Sequence, residues 1–259
     1  MLPNDDLSFQ LFSARAFPVL EEKIWTLANA GYTDVQPYFN ADHAINPTID
    51  VAALKRLTAS HGLSIKSAHF DISLIEKRTE LVTAICDRLG AALVVAPWLE
   101  PSDRPVDAAG WSRMADRLSA ISELLASNGL EFSWHNHDFE FVRLPDGQYP
   151  MDILMASGIT WEPDLAWITL AEQDPTHWLR RYAGRLSALH VKDIAHPGNG
   201  LDEGGFAALG EGSMPWDHLW PVAVEAGIRL AVIEHDNPKD YRHVAYRGAT
   251  TLRALASTK

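Results

Sequence analysis

Short β-like runs alternate with longer segments of helical period along the sequence, and this alternation constrains the fold more than any other feature. The alternation occurs eight times and is typical of βα units that build a parallel sheet. The predicted strands are residues 7–12, 33–37, 64–70, 92–97, 131–136, 160–164, 186–192 and 230–234. The predicted helices are residues 19–30, 51–61, 74–89, 109–128, 151–157, 175–182, 215–225 and 244–256.

The turn residues show which connections are short. Several predicted helices end at a glycine directly before the next strand, where a left-handed C-cap would end the helix: Gly31, Gly62, Gly90, Gly129 and Gly227. The segments after the strands carry more polar and irregular sequence, notably residues 98–107, 137–149 and 195–214. In an α/β barrel, the loops that follow the strands form the catalytic face.

Length and pattern together predict an α/β fold in which residues 1–259 form a single (β/α)8 TIM barrel domain. A doubly wound open sheet is the competing architecture. Such a sheet would normally carry a glycine-rich phosphate turn after an early strand, and none follows residues 7–12. The missing turn favours the barrel.

Composition and charge limit the classes of partner that the protein could bind. The formal net charge is −12, from 34 acidic and 22 basic residues, which opposes binding to nucleic acid or to an anionic membrane. The N-terminus has neither a basic start nor an apolar signal region, and no stretch approaches the roughly 20 apolar residues that cross a bilayer. We therefore expect a cytoplasmic protein.

Cys86 lies in an apolar run and is expected to be a buried structural thiol. The predicted helices show no heptad repeat that would indicate a helical dimer interface. A homodimer is expected only because two-fold oligomers are common.

Four consecutive predicted strands each end in a side chain that binds metal ions well. His135, Asp164, His190 and Glu234 end the strands five to eight. Because the carboxyl ends of barrel strands meet at one face, these side chains should lie together. Asp164 and His190 also have structural alternatives, since Asp164 suits a helix N-cap and a lone strand-end histidine is often a hydrogen-bonded core residue.

Two imidazoles and two carboxylates form a mixed nitrogen and oxygen ligand set. Such a set suits one divalent ion, and the absence of thiolate ligands leaves the harder ions available. We expect Mn²⁺, with Co²⁺, Zn²⁺, Mg²⁺ or Fe²⁺ as alternatives. A small sugar-like molecule with adjacent oxygens is the expected substrate, because such an ion chelates two oxygens and polarises a carbonyl.

Several motifs along nearly the whole chain carry a family resemblance. They are FQLFSAR at 9–15, SAHF at 67–70, WHNHDFEF at 134–141, PDLAW at 163–167, HVKD at 190–193, GEG at 210–212 and EHDNP at 234–238. In combination they make the chain resemble the sugar phosphate isomerase/epimerase family, which has a xylose isomerase-like TIM barrel. Ketose 3-epimerases, inosose dehydratases and endonuclease IV-type phosphodiesterases are relatives.

The resemblance implies a ligand set and shows two departures from it. Strands five to eight of the better-understood members present Glu, Asp, His and Glu to the metal, and Asp164, His190 and Glu234 match the last three. His135 stands where those enzymes carry the first glutamate, and Glu140 is the other candidate to supply that carboxylate. Gln36 ends strand two, where relatives often have glutamate.

The predicted function is a metal-dependent isomerase or epimerase of a sugar or keto-sugar. Glu234 would remove the proton next to a metal-bound carbonyl. The opposite face of the substrate would be served by His135, His137 or Glu140. The residues expected to contact the substrate are His69, Lys192, Trp98 and Gln36.

Three other functions compete with this prediction. A dehydratase or lyase acting on a 3-keto-sugar, a keto-glycoside or an inosose would use the same metal, and a pairing of histidine with glutamate suits elimination. A phosphodiesterase would need further metal ions and more basic groups at the strand ends. A barrel that binds a sugar without turnover is the non-enzymatic alternative, because His135 replaces a glutamate.

Overall fold

The computed structural model describes residues 7–40 and 50–257. The strands are β1 (Leu7–Gln10), β2 (Asp34–Gln36), β3 (Tyr38–Phe39), β4 (Ser67–Phe70), β5 (Leu93–Ala96), β6 (Glu131–His135), β7 (Thr160–Glu162), β8 (Leu189–Val191), β9 (Asp193–Ile194), β10 (Phe206–Ala207) and β11 (Ala231–Ile233). The helices are α1 (Leu20–Ala30), α2 (Val51–Ser60), α3 (Ile72–Lys77), α4 (Thr79–Leu89), α5 (Ala108–Ala126), α6 (Pro150–Ala156), α7 (Leu165–Leu170), α8 (Pro175–Arg181), α9 (Trp216–Glu225) and α10 (Tyr241–Ser257).

The parallel strands form a ring. One sheet has the order β2-β1-β11-β8, and the other has the order β3-β4-β5-β6-β7. The strands β2 and β3 are consecutive and join the two sheets on one side. On the other side, parallel bridges pair Trp161 with Leu186 and Asp164 with His190. The predicted (β/α)8 barrel is confirmed, with β2 and β3 together serving as its second strand.

Glycine caps and apolar helix faces produce this arrangement. Gly31 and Gly90 end α1 and α4 in the left-handed region, with φ of 87° and 84°, as the sequence predicts. The helices bury one face against the outside of the ring, as α4 does with Val82, Cys86 and Leu89. Cys86 is therefore a buried free thiol, as expected, and burial raises its pKa to about 12.

Two predicted segments differ from the structure. The helix predicted over 74–89 begins earlier and divides into α3 and α4, because Arg78 leaves the helical region with φ of −140°. The loop 195–214 contains the strand β10, which pairs antiparallel with β9. The Asp193 carboxylate holds this loop by accepting hydrogen bonds from the backbone N–H groups of Gly210 and Met214. Among the described residues, no helix is long and apolar enough to span a membrane.

A buried carboxylate at the start of β2 makes the stability of the barrel depend on pH. Asp34 accepts hydrogen bonds from Ser8 Oγ at 2.6 Å, Ser64 Oγ at 2.9 Å and Lys66 N at 2.8 Å. Burial nevertheless raises its pKa from 3.8 to about 6. Because the folded protein holds the proton more tightly than the unfolded chain, this residue contributes most stability below pH 3.8 and loses the contribution as pH rises to about 6.

We expect the loss to be on the order of 3 kcal/mol, since each pKa unit corresponds to about 1.4 kcal/mol. Urea unfolding of the wild type and of Asp34→Asn at a series of pH values measures it. The difference in unfolding free energy between the two proteins should change between pH 4 and 6 and be constant above that range. A difference that does not depend on pH would contradict the prediction.

Candidate active site

The carboxyl ends of β6, β7, β8 and β11 bring together the four side chains that the sequence singles out as metal ligands. His135, Asp164, His190 and Glu234 are buried, and each offers one ligand atom within 4.8 Å of the others. We call these four residues the outer set. Strand alternation accounts for the convergence, because each side chain points into the barrel from the end of its strand.

Asp164 serves both the helix that follows it and the outer set. Its Oδ1 accepts hydrogen bonds from the N–H groups of Ala166 and Trp167, which caps α7. Its Oδ2 lies 2.9 Å from Lys192 Nζ. Asn136 fixes the backbone here, since its Oδ1 accepts a hydrogen bond from Asp164 N at 2.9 Å. The capping role and the ligand role therefore use different oxygens.

His190 faces acceptors at both ring nitrogens. Its Nδ1 lies 2.8 Å from Glu234 Oε2, and its Nε2 lies 2.9 Å from both Glu162 Oε1 and Gln36 Oε1. Burial by itself would lower the pKa of this imidazole, but the carboxylates of Glu162 and Glu234 outweigh burial and raise it to about 10. The two carboxylates therefore favour the protonated form of His190 in metal-free protein.

Lys192 is the second buried cation. Its ammonium lies 2.9 Å from Asp164 Oδ2, 2.9 Å from Glu234 Oε2 and 2.8 Å from Asp236 Oδ1. The residue is only 1% exposed and does not line the cavity described below. The sequence predicts a contact from Lys192 to the substrate, whereas the structure places its ammonium among three carboxylates.

Glu162 is the residue that the sequence analysis missed. It is fully buried, and its Oε1 lies 2.5 Å from His69 Nε2 and 3.4 Å from His135 Nδ1. The signal was present, because Glu162 lies two residues before Asp164 and so faces the same side of the strand. The last polar side chain of each strand alone does not reveal it, because Glu162 precedes the final carboxylate of its strand.

The charges fit a divalent cation. The carboxylates of Glu162, Asp164, Glu234 and Asp236 outnumber the one ammonium among them, that of Lys192, and a metal-bound His190 would be neutral. An excess of buried negative charge is costly unless a cation balances it. In addition, His135 Nδ1 is buried without a hydrogen-bond partner. The outer set therefore fits the predicted metal in charge and in ligand type.

Two other predicted residues lie behind the cavity wall. Glu140 accepts hydrogen bonds from Trp134 Nε1 at 2.8 Å and from His137 N at 3.0 Å, so both of its oxygens are engaged away from the outer set. Burial raises its pKa to about 8. Gln36 is fully buried and connects Gln10, Ser67, Glu162 and His190, so it supports the site and does not face a substrate.

A cavity of about 570 Å³ opens over the outer set. Five residues predicted for the site line it: His69, Trp98, His135, His137 and Glu234. The remaining lining residues are Gln10, Phe12, Tyr38, Pro97, Glu100, Arg104, Asp138, Trp167, Gly204, Phe206 and Asp236. This volume lies within the range of small-molecule sites, and aromatic walls with a few polar groups are typical of them. Asp236 is an acid at this wall that the sequence analysis did not select.

The fold and the site define an α/β barrel in which a buried His, Asp and Glu cluster that could hold a metal ion lies at the carboxyl ends of the strands, beside a cavity. A sequence profile described as "Xylose isomerase-like TIM barrel" matches residues 26–254. The chain belongs to this family. The comparison with curated protein sequences gave no match.

Solved structures with the same fold are similar over nearly their whole length. A sugar phosphate isomerase/epimerase from Parabacteroides distasonis has a TM-score of 0.78 and 22% identity, over 96% of this chain and 94% of that chain. The IolI protein with a bound zinc atom has a TM-score of 0.74 and 15% identity, over 97% and 96%. The probable 3-DHS dehydratase AsbF from Bacillus anthracis has a TM-score of 0.73 and 14% identity, over 95% and 98%. At these identities the similarity establishes the fold alone.

Proposed function

We propose that this protein is a metal-dependent isomerase or epimerase of a sugar or keto-sugar. The observation that carries the proposal is a carboxylate, Glu234, that both lines the cavity and belongs to a four-residue set able to bind a cation. A structural neighbour named as a sugar phosphate isomerase/epimerase supports the reaction class, and the family supports an enzyme.

The outer set would hold one divalent ion. Mn²⁺ is favoured for a mixed set of imidazoles and carboxylates, and the zinc atom in the IolI structure supports a divalent ion in a barrel of this fold. When bound, the ion would polarise a substrate carbonyl and acidify the neighbouring C–H group. Side chains of the protein would transfer the proton and hold the substrate.

Glu234 is the proposed proton acceptor. Burial by itself would raise its pKa, but the Lys192 ammonium and the His190 imidazolium outweigh burial and hold the pKa well below the usual range. The carboxylate is therefore ionised at neutral pH and faces the cavity, which a proton acceptor requires. His69 would form a hydrogen bond with a substrate hydroxyl. Trp98 would cover an apolar face of the sugar.

A dehydratase or lyase is the second candidate, and a second acid beside Glu234 supports it. Glu234 and Asp236 both line the cavity and share the Lys192 ammonium, so they lie on one wall. The residues that follow β6 contribute two imidazoles, His135 and His137, and one acid, Asp138, to the cavity wall. Two acids on one wall suit return of the proton taken by Glu234 to the same face of the substrate, as in isomerisation. They equally suit its transfer to the departing oxygen, as in elimination of water or an aglycone from a 3-keto-sugar, a keto-glycoside or an inosose.

Mass spectrometry in deuterated water tests the proposal. The purified protein is incubated with Mn²⁺ and a panel of sugars, keto-sugars and keto-glycosides. An isomerase or epimerase gives products of unchanged composition that carry solvent deuterium, a dehydratase gives loss of water, and a glycoside lyase releases the aglycone. Protein that binds no divalent ion would contradict a metal-dependent function. Protein that binds the ion but exchanges no deuterium with any compound would instead support a barrel that binds sugars without turnover.

A further inference from the structure

The candidate for a new role is Glu162, a buried carboxylate that contacts three histidines. Its Oε1 lies 2.5 Å from His69 Nε2, 2.9 Å from His190 Nε2 and 3.4 Å from His135 Nδ1. Its Oε2 accepts a hydrogen bond from Gln36 Nε2 at 2.9 Å. The residue is fully buried and does not line the cavity. It therefore acts on the site only through these neighbours.

The position of Glu162 in the barrel explains these contacts. Side chains two residues apart on a strand face the same side, so Glu162 points into the barrel like Asp164 but lies one layer deeper. At that depth it meets His69 from β4, His190 from β8 and Gln36 from β2. The layer below the outer set is thus organised around one carboxylate.

A direct metal-binding role for Glu162 has less support. His69, His135, Glu162 and His190 also offer ligand atoms within 4.8 Å of one another. However, both oxygens of Glu162 face N–H donors of the protein, and a metal at Oε1 would displace them. Asp164 Oδ2 faces fewer donors, since it meets the Lys192 ammonium at 2.9 Å while the backbone N–H groups bind Oδ1. Each set has two members that line the cavity, but only the outer set has a carboxylate among them, Glu234, so it is the better place for an ion next to the proposed proton acceptor.

We propose that Glu162 is a positioning residue that fixes the tautomers and ring orientations of His69 and His190. By accepting the Nε2 protons of both rings, Glu162 leaves His190 Nδ1, the nitrogen that faces Glu234, for the metal. Carboxylates that accept the second N–H group of a metal-binding histidine commonly orient that histidine, and their loss typically weakens metal binding by 10–100-fold. The inference rests on the proposed metal-dependent function only for the identity of the ligands.

Metal affinity is the first test. The dissociation constant and the stoichiometry for Mn²⁺ are measured by competition with a chelating dye for the wild type and for Glu162→Gln. The variant should bind one ion about 10–100-fold more weakly. Asp34→Asn is the matched control, because Asp34 is another fully buried carboxylate that accepts hydrogen bonds but lies at the start of β2, outside both histidine groups. It should keep the wild-type affinity.

Two results of the affinity test would overturn the inference. One is an unchanged affinity in Glu162→Gln. The other is a wild type that binds two ions and a variant that loses one of them without weakening the other, because Glu162 would then be a ligand of a separate ion. If Glu162→Gln does not fold, Glu162→Asp takes its place in the test. Aspartate keeps the charge, but its carboxylate is one methylene further from the histidines, so this variant should also bind Mn²⁺ more weakly than the wild type.

The second test needs no metal and separates this inference from the proposed function. Long-range ¹H–¹⁵N spectra of the imidazoles in metal-free protein should show His69 as a single tautomer protonated at Nε2. Glu162→Gln should lose this preference. The same tautomer in both proteins would contradict a positioning role. A wild type that binds no ion but shows the tautomer change would refute the metal-dependent function and leave the positioning role supported.

Discussion

The Glu234→Gln variant is expected to exchange solvent deuterium into the substrate about 10²–10⁴-fold more slowly than the wild type, the range typical of losing a general base. The amide has nearly the shape of the carboxylate but accepts no proton at neutral pH. It also removes the charge that pairs with Lys192 Nζ and His190 Nδ1 at 2.9 Å and 2.8 Å. The measurement is the rate of deuterium incorporation by mass spectrometry, with the keto-sugar that the panel identifies.

Metal content separates the two roles of Glu234. The rate of deuterium incorporation is measured at saturating Mn²⁺, and the bound ion is quantified. Weaker metal binding can then be distinguished from loss of the proton acceptor. Glu100→Gln is the control, because Glu100 lines the same cavity but is absent from the outer set. It should change the rate only a few-fold. A fully loaded Glu234→Gln protein that exchanges deuterium at the wild-type rate would refute the proposed proton transfer.

The strand-end ligands could be predicted because they depend on local rules. Alternation along each strand and the shared direction of parallel strands are sufficient to bring Asp164, His190 and Glu234 to one face. The barrel itself followed from the same periodicity and from glycine caps such as Gly31 and Gly90, which require only the neighbouring residues.

The partners of the buried charges could not be predicted in this way. Whether Lys192 meets a substrate or three carboxylates depends on the register between β8 and β11, which places Lys192 next to Glu234 and Asp236. The direction of Glu140 depends on the tight turn after β6, which directs its carboxylate to Trp134 Nε1. Both are set by contacts between segments distant in sequence or by turn geometry, and neither has a periodic signal.

The burial of Lys192 leads to the largest expected effect on stability. Lys192→Met keeps a similar length but removes the one ammonium shared by Asp164, Glu234 and Asp236. Removing one partner of a buried ion pair typically costs about 3–5 kcal/mol, because the remaining charges stay buried without compensation. Urea unfolding in the presence of a metal chelator should show a loss of this size. Lys239→Met is the control, since Lys239 pairs with Asp202 at the exposed surface and its loss should change stability little.

The same variant connects the stability of the barrel to its proposed metal. In Lys192→Met the carboxylates of the outer set lack their ammonium, so Mn²⁺ should recover more of the unfolding free energy in this variant than it adds to the wild type. Removing one acid as well, in Lys192→Met with Asp236→Asn, should also recover part of the loss, because Asp236 contacts only the ammonium within this group of charges. If neither Mn²⁺ nor the second substitution restores stability, the loss comes from packing and not from uncompensated charge, and the electrostatic account of this site is wrong.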